Sequence, residues 1–193
     1  DGDDSITSLL GADSIDGGAG SSDYAQINRN AVAVGLNIST TAMASAAGQT
    51  WADGTFVPHI ERLDISGGSG ADTITVGGLL LGPSNFNGGA GMDRLSVDLS
   101  SFVTGVTIDT NSFTWGGVGP TLTMSNVEAL TVTTGSGNDS IYGFTGDDVI
   151  SSGGGDDIIN AHLGVANING GSGIDQVEIQ RGDISTGIVA AVA

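Results

Sequence analysis

The sequence predicts an all-β fold, a parallel β-roll or β-helix solenoid of short stacked strands. Three observations predict it: glycines gathered in clusters, a nine-residue period that runs without gaps toward the C-terminal end, and β-branched residues at one fixed place in that period. Thirty-four of the 193 residues are glycine, and their clustering makes a repeat the first thing to look for.

The period begins at Thr134. Five nonapeptides follow in unbroken register for 45 residues: TGSGNDSIY, GFTGDDVIS, SGGGDDIIN, AHLGVANIN and GGSGIDQVE. Position four is Gly137, Gly146, Gly155, Gly164 and Gly173, and Gly135, Gly153 and Gly171 fill position two. A tight turn whose carbonyls converge needs positive φ and close backbone approach, which glycine tolerates best. Position six is Asp139, Asp148, Asp157, Ala166 and Asp175, and aspartate supplies the hard oxygen ligands that calcium prefers. Position eight is Ile141, Ile150, Ile159, Ile168 and Val177. An apolar residue between polar neighbours is the inward residue of a strand about three residues long, stable only when stacked on copies of itself. Each nonapeptide is then half a turn of a coil. The position-five side chains Asn138, Asp147 and Asp156 either assist an ion or are solvated.

The same lattice opens the chain. Gly2, Gly11 and Gly20 hold position four, Asp4 and Asp13 position six, and Ile6, Ile15 and Tyr24 position eight, with a slip of register at Ser22 and Asp23. Single motifs GGSGADTI from Gly67 and GGAGMDRL from Gly88 place Asp72 and Asp93 at position six, twenty-one residues apart, with three extra residues expected to loop out around Pro83.

These nonapeptides resemble the GGxGxDxUx repeats of RTX proteins, the haemolysin-type calcium-binding repeats. The resemblance implies that eighteen residues make one full turn of a β-roll, with several calcium ions between loops stacked on the same edge. Asp139, Asp157 and Asp175, eighteen apart, then line one edge and form two complete inter-loop sites. On the opposite edge Asp148 stacks over Ala166, whose methyl group cannot coordinate an ion. The full implied ligand set is Asp4, Asp13, Asp23, Asp72, Asp93 and, in the tandem array, the residues named above in positions two, four, five and six except those of the loop AHLGVANIN, Gly164 and Ala166. The resemblance further implies type I secretion from a bacterium and folding outside the cell, where calcium is abundant.

A longer unit overlies the short one. Asp23, Asp93 and Asp175 are each followed twelve residues later by Gly35, Gly105 and Gly187, and then by an apolar strand. The two complete copies end alike, IERLDISGGSGADTI from Ile60 and VEALTVTTGSGNDSI from Val127, so that Glu61 and Glu128 each precede an aspartate by eleven residues. Their middles, with Trp51 and Trp115, are expected to form short strands and turns on wider coils. This divides a single solenoid into nonapeptides at 1–25, long units at 17–77 and 88–143, tandem nonapeptides at 134–178 and the start of a third long unit at 170–193, with the parent chain expected to continue beyond it.

Four arginines, no lysine and 22 acidic residues give a formal charge of −18. A chain with that balance repels itself and recruits cations. It excludes nucleic acid, whose binding needs basic residues to neutralise phosphates, and there is no stretch long enough for membrane insertion. Acidic composition also suits disorder, but 38% hydrophobic residues at regular intervals supply core material once the aspartates are neutralised. With no cysteine, disulfides are impossible, and metal ions are the remaining staples.

Catalysis is not expected. Across the long units Arg29 and Arg181 align with each other and with Leu99, Arg62 with Ala129, and Arg94 with Tyr24 and Gln176, the drift of surface residues. His59 and His162 have no evident partner, and no GxSxG, HExxH or phosphate-loop motif is present. Arg181-Gly182-Asp183 matches an integrin-binding tripeptide, but three residues recur by chance. The expectation is therefore a calcium-dependent extracellular or cell-surface scaffold. The alternatives are an adhesin or surface-array segment with a carbohydrate or cell-surface partner, and a non-catalytic module of a polysaccharide-modifying enzyme.

Overall fold

The computed structural model describes residues 2–77, 83–115 and 122–180. The chain winds back and forth between two sheets. In the longer, Ser5–Ser8, Tyr24–Asn28, Arg62–Ser66, Ser84–Asn87, Leu122–Ser125, Ser112–Trp115, Val106–Ile108, Ser140–Tyr142, Ile158–Ala161 and Gln176–Ile179 lie side by side. In the shorter, the order is Ala166–Asn169, Asp148–Ser151, Ala129–Thr133, Arg94–Asp98, Thr73–Gly77 and Asn37–Ser39.

Stacking register gives the size of each coil. Ser140 pairs with Ile158 and Ile158 with Gln176, and on the other sheet Asp148 pairs with Ala166, all at eighteen residues per turn. Thr73 pairs with Arg94 across a coil of twenty-one. Tyr24 pairs with Arg62 and Arg94 with Ala129, so two coils are nearly twice as wide.

Every coil donates one or two side chains per strand to a single apolar column. Ile141, Ile150 and Ile159 are buried, as their place in the nonapeptide predicts, and they stack with Leu130, Val132, Leu95, Val97, Ile74 and Val76 from the coils before them. Strands of three to five residues would not survive alone; the inner ones of each sheet are held by paired strands above and below. The column thins at the far end, where Val177 is 43% exposed.

Three expectations need correction. Tyr24 is not an inward residue: with Asp23 as the motif aspartate, Ala25 points inward, while Tyr24 lies outside, donating its hydroxyl to Asp64 at 2.7 Å beneath the Arg62 guanidinium. The middles of the long units are not only strands and turns on parallel coils. The first carries a short helix, Thr40–Met43, capped by the Ser39 hydroxyl, then an antiparallel hairpin, Gln49–Thr50 with Phe56–Val57. The second inserts Ser112–Trp115 antiparallel to both neighbours in an otherwise parallel sheet.

The third correction concerns Arg29, which is fully buried and not a surface residue. It takes the place that Leu99 takes in the second long unit. Arg29 N donates to Ser66 O at 2.8 Å and Leu99 N to Thr133 O at 2.7 Å, and each carbonyl accepts the amide three residues on. Its guanidinium pairs with Asp53 at 2.8 Å and Asp13 at 3.2 Å and also bonds Ser8 and Thr55, which ties the inserted hairpin to the first coil. The extra loop expected around Pro83 falls mainly on 78–82, and the Arg181-Gly182-Asp183 tripeptide and the Gly187 strand on 181–193; these lie outside the described residues.

Candidate metal-binding loops

The glycine loops form the edges of the solenoid and are packed carbonyl against Cα. A methyl group built on Gly135 would lie 1.7 Å from Phe102 O, and one on Gly171 1.8 Å from Gly153 O. Gly153, Gly155, Gly171 and Gly173 also have positive φ, between 84° and 134°, which L side chains rarely adopt. Stacked amides run between loops: Gly154 N to Gly135 O at 2.8 Å and Ser172 N to Gly153 O at 2.9 Å. Main-chain oxygens of one loop therefore face the next.

The position-six aspartates form a ladder. Asp139 N donates to Asp157 Oδ1 at 2.8 Å, and Asp157 N to Asp175 Oδ1 at 3.2 Å, so the expected edge is stacked. Asp72 N donates to Asp93 Oδ1 at 2.7 Å, and Asp4 N to Asp23 Oδ1 at 2.6 Å. The glycine of each complete long unit is explained by the same ladder: Gly35 and Gly105 bring Leu36 N and Val106 N to Asp72 Oδ1 and Asp139 Oδ1 at 2.7 and 2.8 Å.

One oxygen of each carboxylate carries the ladder bond, and the Gly68 amide and Thr134 hydroxyl stand beside the Asp72 and Asp139 carboxylates without meeting the geometry of a bond to Oδ2. Asp23, Asp72, Asp93, Asp139 and Asp157 are at most 3% exposed, and the Oδ2 atom of each is buried without a hydrogen bond. A buried carboxylate oxygen that accepts no hydrogen bond is costly. Burial pushes the Asp72, Asp93 and Asp139 carboxyls above the usual carboxylate range. No three acidic or histidine side chains form a ready-made cluster among the described residues. A cation here would instead be held by one or two aspartates and the converging loop carbonyls, an all-oxygen set suited to calcium and not to softer metals.

The remaining predicted residues divide by environment. Asp148 accepts from Leu130 N at 2.8 Å through Oδ1 and from Phe144 N at 2.9 Å through Oδ2, so both oxygens are occupied by amides. Burial raises its pKa to about 6. The position-five side chains reach the next coil: Asn138 accepts from Asp156 N, Asp156 from Ile174 N and Asp147 from Val165 N. Asp13 is engaged by Ser8 and Arg29. Gly137 packs against Thr104 and Gly105, and Gly146 against Glu128 O. His59, expected to lack a partner, meets Asp16 at 2.7 Å and holds that carboxyl below its usual range. Glu61 and Glu128 were given no role from sequence, yet their carboxylates take the ladder position after Asp23 and Asp93, accepting those amides at 2.8 and 2.9 Å. Their repeated spacing was visible, but nothing in it pointed to an acceptor for an amide more than thirty residues earlier.

Stacked glycine-aspartate loops on short parallel coils define a β-roll of the calcium-binding kind. Four copies of the RTX calcium-binding nonapeptide repeat match at residues 1–22, 64–78 and 131–165. The chain therefore carries RTX calcium-binding repeats, which support reading it as a calcium-binding repeat scaffold. The matched segments cover less than half of the chain; the loop Gly88–Asp93 and the last nonapeptide lie outside them, although they stack in the same ladders. No curated protein matches the chain. Among the described residues no helix is long and apolar enough to cross a membrane.

Proposed function

We propose that calcium ions lodge between stacked loops, held by the carboxylates of Asp23, Asp72, Asp93, Asp139, Asp157 and Asp175 with the carbonyls around Gly135, Gly153 and Gly171. We further propose that their binding drives folding of the chain outside the cell. The observation that carries this reading is the set of five buried aspartates, each with an unpartnered oxygen, in a chain of charge −18. Without a cation, Asp72 with Asp93 on one edge of the solenoid and Asp139 with Asp157 on the other are stacked like charges that raise one another's cost of ionisation. With one, the binding free energy becomes folding free energy.

In this reading the narrow coils at 134–178 and the wide coils of the two long units are one folding unit, a rigid spacer of a larger secreted protein. Asp139, Asp157 and Asp175 supply two inter-loop sites, and Asp4 and Asp23 another. Asp148 supports the opposite edge through its amides, and Asn138, Asp147 and Asp156 lock the coil spacing. Extracellular modules bind calcium at about 10⁻⁴ to 10⁻³ M, so the repeats stay unfolded where calcium is scarce.

Far-ultraviolet circular dichroism of the metal-stripped chain tests this, repeated at about ten millimolar calcium, well above that affinity range. A rise of β signal on addition is expected. A spectrum already β-rich without metal would leave the apolar column as sufficient support and would sink the folding switch.

One observation favours a second role. The outer face of the long sheet presents Gln26, Asp64, Asn85 and Asn87 along a cleft of about 300 Å³, a polar strip suited to hydroxyl-rich ligands. Binding to a glycan array, abolished by Asn85→Ala and Asp64→Ala together, is the expected outcome if the scaffold also contacts carbohydrate.

A further inference from the structure

The two wide coils close by one device. In the first, Glu61 N and Arg62 N donate to Asp23 O at 3.1 and 3.0 Å, while Glu61 Oε2 accepts from Asp23 N at 2.8 Å. In the second, Glu128 N and Ala129 N both donate to Asp93 O at 2.9 Å, while Glu128 Oε2 accepts from Asp93 N at 2.9 Å. Two residues before each glutamate stand His59 and Asn126, both at φ 52° and the only non-glycine residues with positive φ among those described. That turn brings a carbonyl onto the opening loop. A methyl built on Gly17 would lie 2.0 Å from His59 O and 2.7 Å from Asp23 Cβ. One built on Gly88 would lie 2.1 Å from Asn126 O and 2.4 Å from Asp93 Oδ2.

Each coil start thus gathers two carboxylates and a main-chain carbonyl. The sign that something belongs among them is independent of this geometry. Asp23 is 1% and Asp93 0% exposed, and the Oδ2 atom of each has no partner. A second carboxylate beside a buried one is unfavourable unless a cation separates them. No guanidinium does so: the ion pairs among the described residues join Arg29 to Asp13 and Asp53, and His59 to Asp16. A neutral side chain could accept the Asp23 or Asp93 amide equally well, so the hydrogen bond alone does not account for a carboxylate.

We propose that Asp23 with Glu61, and Asp93 with Glu128, form two further calcium sites, completed by the carbonyls of His59 and Asn126, where no second nonapeptide loop is available. The proposal rests on the reading that the aspartate ladders hold calcium. In the tandem array the second carboxylate comes from the motif eighteen residues on; here it comes from a glutamate outside any nonapeptide, 38 or 35 residues on. Carboxylate and carbonyl oxygens in a flexible arrangement suit calcium over magnesium, which demands near-octahedral geometry and keeps its water. Each ion would tie the first and last residues of a wide coil together. The entropy of closing so long a loop is then offset by metal and not by the inserted hairpins alone.

The test counts ions. Glu61→Gln and Glu128→Gln, singly and together in the full chain, keep an acceptor for the aspartate amide but remove the charge. Calcium titration by calorimetry, with circular dichroism to confirm folding, compares them with the parent and with Asp157→Asn. The expected result is the loss of one ion for each glutamate replaced, or a weakening of that class of site by about tenfold or more, because ligand charge sets calcium affinity. Loss of ions in Asp157→Asn but unchanged number and affinity in the double glutamine variant would overturn this proposal and leave the ladder sites standing. Absence of calcium binding in the parent would overturn both. A readout that needs no variant is the carboxyl ¹³C resonance of Glu61 and Glu128: both should move on calcium addition, and fixed resonances would count against the sites.

Discussion

Asp148 and Asp157 have the same motif position and almost equal burial, but they differ in what their second oxygen meets. Both oxygens of Asp148 accept amides, from Leu130 and Phe144, whereas Asp157 uses one for Asp139 N and leaves Oδ2 free. Asp157 also stands between the two loops that flank it, and Asp148 stacks over Ala166. Asp157→Ala should therefore lower calcium affinity more than Asp148→Ala, as measured by titration. Asp148→Ala should instead destabilise the calcium-loaded chain by about 2 kcal/mol or more, because it strands two buried amides. Equal losses of affinity would show that the two edges are equivalent.

Arg29 poses the opposite case at the same scale, a charge where the equivalent residue is Leu99. Arg29→Leu restores the apolar residue but abandons Asp53, whose side chain is only 9% exposed. Breaking a buried ion pair from one side costs about 3–5 kcal/mol. The expected result in urea unfolding is a loss of that size for Arg29→Leu and a smaller one for Arg29→Leu with Asp53→Asn. Additive losses would mean the pair is not coupled.

Among the elements, the loops and not the strands set the tolerance to change. Gly135 has Phe102 O within 1.7 Å of where a Cβ would stand, while Gly18 has nothing within 4 Å and only its φ of 81° to defend it. Gly135→Ala should cost about 3 kcal/mol, since overpacked backbone cannot move aside, and Gly18→Ala about 1–2 kcal/mol for the left-handed backbone alone. Thermal melts in calcium would check the order. The glycine loops, their stacking at eighteen residues and the inward Ile141, Ile150 and Ile159 were legible in the sequence because each is a local requirement repeated in register. The antiparallel strand Ser112–Trp115 and the helix Thr40–Met43 were not, since each occurs once and no period reports it. Arg29 was misread for a related reason. Its partners Asp13 and Asp53 lie 16 and 24 residues away, one of them on the inserted hairpin, and no spacing rule links them. The second amide on Asp148 and the closing role of Glu61 and Glu128 likewise depend on which backbone the coil brings close.

For the whole molecule, charge and burial make a pH prediction whose sign is opposite to ordinary acid unfolding. Asp72, Asp93 and Asp139 are pushed above the ordinary aspartate value of 3.8, and Asp148 to about 6, in each case chiefly by burial. A carboxyl whose pKa is raised in the fold holds its proton where the unfolded chain has lost it. Stability is then greatest below the unfolded value and is lost as pH rises through the interval up to the folded value, about 6 for Asp148. Asp16 and Asp98 are shifted the other way, so their contribution is lost on acidification, but they are solvent-facing and weigh little. Lower pH also relieves the mutual repulsion of a chain at −18. Metal-stripped protein should therefore show more β signal by circular dichroism at about pH 4.5, inside that interval, than at about pH 7.5, above it. In saturating calcium the order should reverse, because protons then compete with the ion for the same oxygens. If the metal-free chain instead loses stability steadily on acidification, the buried aspartates are already compensated within the protein and calcium is not what the ladders lack.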